Sequence, residues 1–291
     1  ISRLPLSSIK WQRVSPYCSL YRVVSISMHR YRVLMLNTSS LSRSAGWAII
    51  DDQILFQKGS FVSTIEGRKL DPMVTSENSN EGFNAISHIV AAALGLAGLV
   101  FLIVFSAIQG KWLHLVSFAI YGTTVVVSMT FSGLLHFFLW FRKYFKVFAI
   151  LDHTAIYFLI AGTYTPFCLV VVGGWVGWTV FVIIWSLAIL NVVLKSVFFS
   201  TMPLWLSMAG YLSMGWLSLA LVYSVYIKLG LSAILLLLLG GAFYTVGAVI
   251  FIREKPNPFP GKFGNHELWH ILVMLGNLTF LMMMFFYVLP Y

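Results

Sequence analysis

Seven stretches of this chain are each long and apolar enough to cross a lipid bilayer, which leaves few folds open to it. A hydrocarbon core of about 30 Å takes about 20 residues of helix. The runs fall at roughly 84–107, 115–138, 152–172, 175–194, 203–226, 231–252 and 267–289. Each has to be helical, because lipid offers backbone N–H and C=O groups no partner. The expected fold class is therefore an all-α integral membrane protein, a seven-transmembrane helix bundle. Composition closes off the soluble alternative: the chain is 59% hydrophobic and only 10% charged, where soluble domains carry about 25% charge. Pro166 is expected to kink the third span and open room in the bundle.

Charge distribution excludes a nucleic-acid footprint despite a net charge of +10, since about half of the 19 basic residues lie in the first seventy and most others sit in short connections. Two cysteines, Cys18 and Cys168, are too few and too badly placed for a disulfide framework. The second, fourth and sixth connections hold Arg142, Lys143, Lys146, Lys195, Arg253, Lys255 and Lys262, whereas the opposite side holds Lys111 and Lys228. Basic connections stay inside, so the N-terminus is expected in the cytoplasm and the C-terminus outside, in a multi-pass protein of the cell (inner) membrane. Trp112, Trp140, Trp175, Trp205 and Trp269 fall near the span boundaries, where an amphipathic ring is stable.

That topology gathers the ionisable residues at the inner end, and ionisable groups inside spans need a reason. Span two ends in Ser132 and His136, span three starts with Asp152 and His153, span seven starts with His266 and His270, and span one adds Asn84, Ser87 and His88. Residues four apart share a helix face, so His266 and His270 can clasp one ion. His136 supplies a third imidazole from a facing helix, a three-histidine set of the kind that in catalytic zinc sites leaves a fourth position for water. Neutral imidazole without thiolate suits Zn2+ in an open site. Asp152 is then best placed to take a proton from the water on the metal, or to support the ligands, with pairing to Lys146 or Arg142 as the plain alternative. Ser132, one turn before His136, can hydrogen-bond the site; Asn84 and His88 stand in the same supporting position, His88 alternatively as a packing donor to Asn84.

Other polar residues have simpler readings. Ser87, Thr123, Thr124, Ser128, Thr154 and Asn191 read as interhelical glue. His153 points about 100° away from Asp152 around the helix and reads as a boundary residue. His114 reads as interfacial, and Met282, Met283 and Met284 as lipid-facing filler.

Asn84-x-x-Ser87-His88, Ser132-x-x-x-His136, the segment Leu151-Asp152-His153-Thr154-Ala155-Ile156-Tyr157 running on to Pro166-Phe167, and Asn265-His266-x-x-x-His270 strongly resemble the bacterial hemolysin III family. Ser213 to Ser218 fits as well, so the resemblance covers about 77–291. The family is related to the progestin and adiponectin receptors and, more distantly, to alkaline ceramidases. The resemblance implies a seven-helix bundle with zinc near the cytoplasmic face, held at the positions of His136, His266 and His270, with Asp152 near the zinc water and Ser132 in the same motif.

The expected domains are a basic, Ser-rich extension over 1–76 and the membrane domain over 77–291. Residues 1–50 hold seven Arg or Lys and no acidic residue, a composition like a transit peptide. The extension is expected to be disordered or foreign to the native protein, with Met73 near the natural start; a basic arm on anionic lipid is the alternative.

Two functions of different classes stand: a zinc-dependent hydrolase acting on a ceramide-like lipid amide, or a membrane-damaging, pore-type protein whose metal only braces the helix ends. A non-catalytic lipid sensor is a third. Expected partners are membrane lipids and a lipid amide substrate. The orientation carries its own check: alkaline phosphatase fused after Tyr291 should be active in intact bacterial cells and a fluorescent protein fused there dark, and the opposite pattern would invert the topology.

Overall fold

Seven helices carry the seven apolar runs. They span Glu81–Ile108, Trp112–Phe138, Phe145–Val172, Gly174–Val197, Leu204–Leu229, Leu231–Arg253 and Asn265–Val288, and are called helix one to helix seven. The structure is a computed structural model that describes residues 80–138, 144–259 and 262–291, together with short strands earlier in the chain. The chain divides into two units, Ile1–Gly67 and Arg68–Tyr291. In the first, Tyr21–Met28 pairs antiparallel with Ile9–Gln12 and with Tyr31–Thr38. Apart from these and a few shorter strands, the expectation of a disordered or foreign extension lies outside the described residues.

In the second unit every spanning element is a helix, as the all-α class requires. Short connections make sequence neighbours pack side by side; helix seven returns against helix one. Helix three is the most enclosed, with 72% of its most apolar stretch buried against 17% for helices four and five, so it forms the axis of the bundle. Outward faces stay apolar: Ile86, Ile108, Val197 and Phe286 are exposed, as lipid-facing side chains should be.

Helix three begins at Phe145, about two turns before the apolar run expected from the sequence, because Phe148 in that added segment stacks on Phe138 at 4.7 Å. Helix four runs on to Val197 and takes in Lys195, which is fully buried with its ammonium donating to Ser207 Oγ at 3.2 Å, rather than lying in a connection. Helix three continues through Pro166 and widens into a π-helix over Phe167–Val172; the missing proline N–H is absorbed by a change of hydrogen-bond register. Helix five tightens to a 3-10 helix over Leu217–Leu221, and Tyr164 OH donates to the carbonyls of Met214 (2.6 Å) and Gly215 (2.9 Å) at that break.

Helix ends buried at membrane depth leave carbonyls that need donors. Lys111 Nζ donates to Leu289 O at 2.9 Å and Pro290 O at 3.2 Å, and His114 Nε2–H to Val288 O at 3.1 Å. Lys228 Nζ closes the end of helix three on Val171 O (2.8 Å) and Val172 O (3.1 Å). His114 is thus buried and bonded to the end of helix seven rather than merely interfacial.

Several sequence expectations change. Thr124, Thr154 and Ser87 bond backward to carbonyls of their own helices and Thr123 is exposed, whereas Asn191 bonds both to Leu187 O of its own helix and across to Met214 Sδ of helix five at 3.9 Å, as interhelical glue should. Met283 and Met284 are fully buried and only Met282 faces outward. Trp112, Trp175 and Trp205 are exposed at helix starts, but Trp269 is buried against Phe251 at 4.6 Å.

Helices two and three touch through a glycine: a Cβ at Gly162 would overlap Thr124 Oγ1 and come within 2.9 Å of Thr124 Cβ. Gly162→Val should therefore destabilise the purified protein by about 1–3 kcal/mol, the usual range for overpacking, read as a lower Tm in detergent. An unchanged Tm would mean that these two backbones do not approach.

Candidate metal centre

Helix-end spacing does the first part of assembling the site. His266 and His270 lie one turn apart at the start of helix seven, and His136 lies in the last turn of helix two. The two helices present their rings to one point: centroids lie 4.6 Å apart for His266 and His270, 4.8 Å for His136 and His270, and 5.4 Å for His136 and His266. One nitrogen from each ring lies within 4.8 Å of the others, and all three residues are buried. Phe251 and Trp269 pack against His266 at 5.7 and 5.5 Å and keep the surroundings apolar.

Hydrogen bonding shows which nitrogens are committed. His136 Nδ1–H donates to Glu81 Oε2 at 2.6 Å, leaving Nε2 for the cluster. His270 Nδ1 lies 2.7 Å from His88 Nε2, and Nε2 of His270 has no hydrogen-bond partner. Neither ring nitrogen of His266 has one. An unsatisfied buried polar atom costs about 1–3 kcal/mol and calls for a specific explanation, an ion among them. Imidazole lone pairs converging without protein donors between them are suited to a cation, and the all-nitrogen donor set suits zinc. The residues present therefore fit the metal that the sequence implied.

Asp152 falls outside the three-histidine group. It is buried near the start of helix three. Asp152, Ser132, His88 and His270 all line one cavity of about 430 Å³. The cavity continues along apolar side chains of helices three, five, six and seven, including Ile156, Leu159, Leu212, Leu237 and Val273. A volume of this size, mostly apolar with a few convergent polar groups, is typical of a small-ligand site.

The other expected supporting residues are also at this end. His88 touches His270 directly. Asn84 instead donates from Nδ2 to Glu267 Oε1 at 3.3 Å, so it acts on the neighbour of His266 rather than on a ring. His153, expected at the boundary, is 1% exposed, with its ring 5.5 Å from Phe199 and its carbonyl accepting from Tyr211 OH at 2.9 Å. It lies outside the three-histidine group.

Two carboxylates were not singled out from the sequence. Glu81 holds His136. Glu267 is fully buried and accepts from Gly264 N–H at 2.7 Å, as the N3 glutamate of a capping box does, and from Asn80 N–H and Asn84 Nδ2 of the first helix. Glu267 thereby pins the starts of helices one and seven together. Its signal was present as a glutamate in the first turn of a span.

The fold and site together define a seven-helix membrane protein with a buried three-histidine group beside an apolar cavity. The chain belongs to the Haemolysin-III related family, whose sequence model matches residues 76–281. It is 41% identical over 207 residues to "Hemolysin-3" of Bacillus cereus, covering 71% of this chain and 91% of that protein. Over 208 residues it is 41% identical to "Hemolysin-3 homolog" of Bacillus subtilis (strain 168), covering 72% of this chain and 92% of that one. With seven apolar helices and these relatives, it is a multi-pass protein of the cell (inner) membrane.

Metal analysis of the purified protein should find about one zinc per chain, as expected for a single three-histidine site, and almost none in a His266→Ala, His270→Ala double variant that still elutes as a folded species. Undiminished zinc in that variant would end the assignment.

Proposed function

We propose that the protein is a zinc-dependent hydrolase that cleaves an amide bond in a ceramide-like membrane lipid. The observation that carries this reading is the single cavity in which Asp152, Ser132 and His270 meet a long apolar wall. A pure metal brace has no need of an apolar chamber opening onto it, and a water pore would need a polar lining.

Zinc held by His136, His266 and His270 supplies Lewis acidity toward an amide carbonyl and toward water. The protein supplies the rest. Apolar side chains of helices three, five, six and seven receive the acyl chain and exclude bulk water, so the amide stays at the polar end. The Asp152 carboxylate, on the same cavity wall as Ser132, takes the proton released as water adds to the carbonyl carbon and returns it to the nitrogen as the C–N bond breaks. The products are a carboxylic acid and an amine, which leave as carboxylate and ammonium once the acid proton passes to the amine, and Asp152 ends in its starting state. Glu81 and His88 hold the rings of His136 and His270, and Asn84 and Glu267 brace the start of helix seven. The partners on this reading are membrane lipids and the lipid amide itself.

The relatives' names point to a second reading, membrane damage, with the histidines only bracing the inner helix ends. The two separate on one set of variants. Zinc-loaded protein in mixed micelles should release fatty acid from a short-chain fluorescent ceramide, and Asp152→Asn should keep its zinc while losing about 10²–10⁴-fold of that rate, the range for a removed general base. Absence of turnover in the wild type, joined to dye leakage from vesicles that persists after the histidines are replaced, would favour the membrane-damaging reading.

A further inference from the structure

We infer that Glu81 is a positioning residue for the metal centre: its carboxylate holds the Nδ1 proton of His136 and so presents Nε2 of that ring to the ion. The inference rests on the zinc-binding reading above and adds to it a residue outside the ligand set.

Glu81 opens helix one and is the acidic residue of its first turn. Its side chain is 22% exposed, while that of His136 is 4% exposed, so the carboxylate reaches inward from the edge of the bundle to a ring already buried. The contact, Oε2 to Nδ1 at 2.6 Å, joins residues 55 positions apart on different helices. An ionised carboxylate only accepts hydrogen bonds. A neutral imidazole facing it must therefore carry its proton on Nδ1 and its lone pair on Nε2, the nitrogen left for the ion. A carboxylate on the far nitrogen also makes a histidine ligand more basic and fixes its ring plane.

Helix one repeats this arrangement along one face. Glu81, Asn84 and His88 stand at i, i+3 and i+7, which share a side of a helix. Glu81 bonds His136 of helix two; Asn84 bonds Glu267, next to His266; His88 meets Nδ1 of His270 at 2.7 Å. When His270 turns its Nε2 lone pair inward, its Nδ1–H donates to His88. Helix one thus contributes none of the three histidines of the cluster, yet it orients two of them directly and braces the third through Glu267. Of these contacts, the one from Glu81 brings a carboxylate onto a ring of the cluster.

The test compares wild type with Glu81→Ala and Glu81→Gln, using zinc alone as the probe. Zinc affinity, measured by competition with a chelator, should weaken about 10–100-fold in Glu81→Ala, the usual cost of losing such a partner, and less in Glu81→Gln, whose amide oxygen can still accept from Nδ1–H. In metal-free protein carrying 15N-histidine, the His136 ring, assigned by its loss in His136→Asn, should be protonated at Nδ1 in wild type and Glu81→Gln and mixed between the two nitrogens in Glu81→Ala. A purely structural role would instead lower the Tm of metal-free protein while leaving zinc affinity and the ring signature as in wild type, and that result overturns the inference. Wild-type protein that binds no zinc would overturn the metal reading itself, whereas zinc held equally by wild type and Glu81→Ala would remove only the role of Glu81.

Discussion

Hydrocarbon offers no hydrogen bonds, and most of this structure follows from that. It forces the backbone into helices, turns threonines back onto their own carbonyls and draws Lys111, His114 and Lys228 onto the ends of helices seven and three, where free carbonyls would otherwise remain. The same constraint acts on the histidines. Placed among Phe251, Trp269 and apolar neighbours, imidazole nitrogens persist only if each finds a proton, an acceptor or a cation. Glu81 and His88 provide for two of them. What is left over converges on one point.

This arrangement links the metal centre to the architecture around it. Glu267 ties helix seven to helix one, and Glu81 ties helix one to helix two, so the segments bearing the three rings are held by carboxylates. Helix three, the most enclosed element, brings Asp152 to the same end and lines the chamber with Ile156 and Leu159. Its π-helical far end and the 3-10 break in helix five both depart from regular helix near this chamber, and Tyr164 satisfies the carbonyls freed there.

Much of the candidate site was legible from residue spacing, but unevenly. His136, Asp152, His266 and His270 stand out because an ionisable residue within an apolar run is conspicuous, and because two of them repeat at four. Glu81 and Glu267 do not stand out: a carboxylate in the first turn of a span looks like an ordinary interfacial charge, and its partners lie 55 and 183 residues away. Lys195 was placed in a connection because lysine usually ends a span, yet a hydroxyl on helix five lets it be buried. His153 follows the same logic, its burial being decided by Phe199 and Tyr211 on neighbouring elements.

By itself the sequence determined the number of helices, their approximate limits, and that the histidines and Asp152 share one end, because length and hydropathy are local properties that lipid reads directly. Only the tertiary structure decided how each helix is rotated and which helix it meets. In a membrane the lipid-facing and core-facing sides are both apolar, so no alternation marks the inward face: Met283 and Met284 are buried while Met282 is not, though all three look alike in sequence. Rotation is set by close packing, such as Gly162 against Thr124, and by polar contacts between distant residues. That is why the convergence of three rings, their orientation by helix one, and the chamber that His270 shares with Asp152 emerge only once the helices are packed.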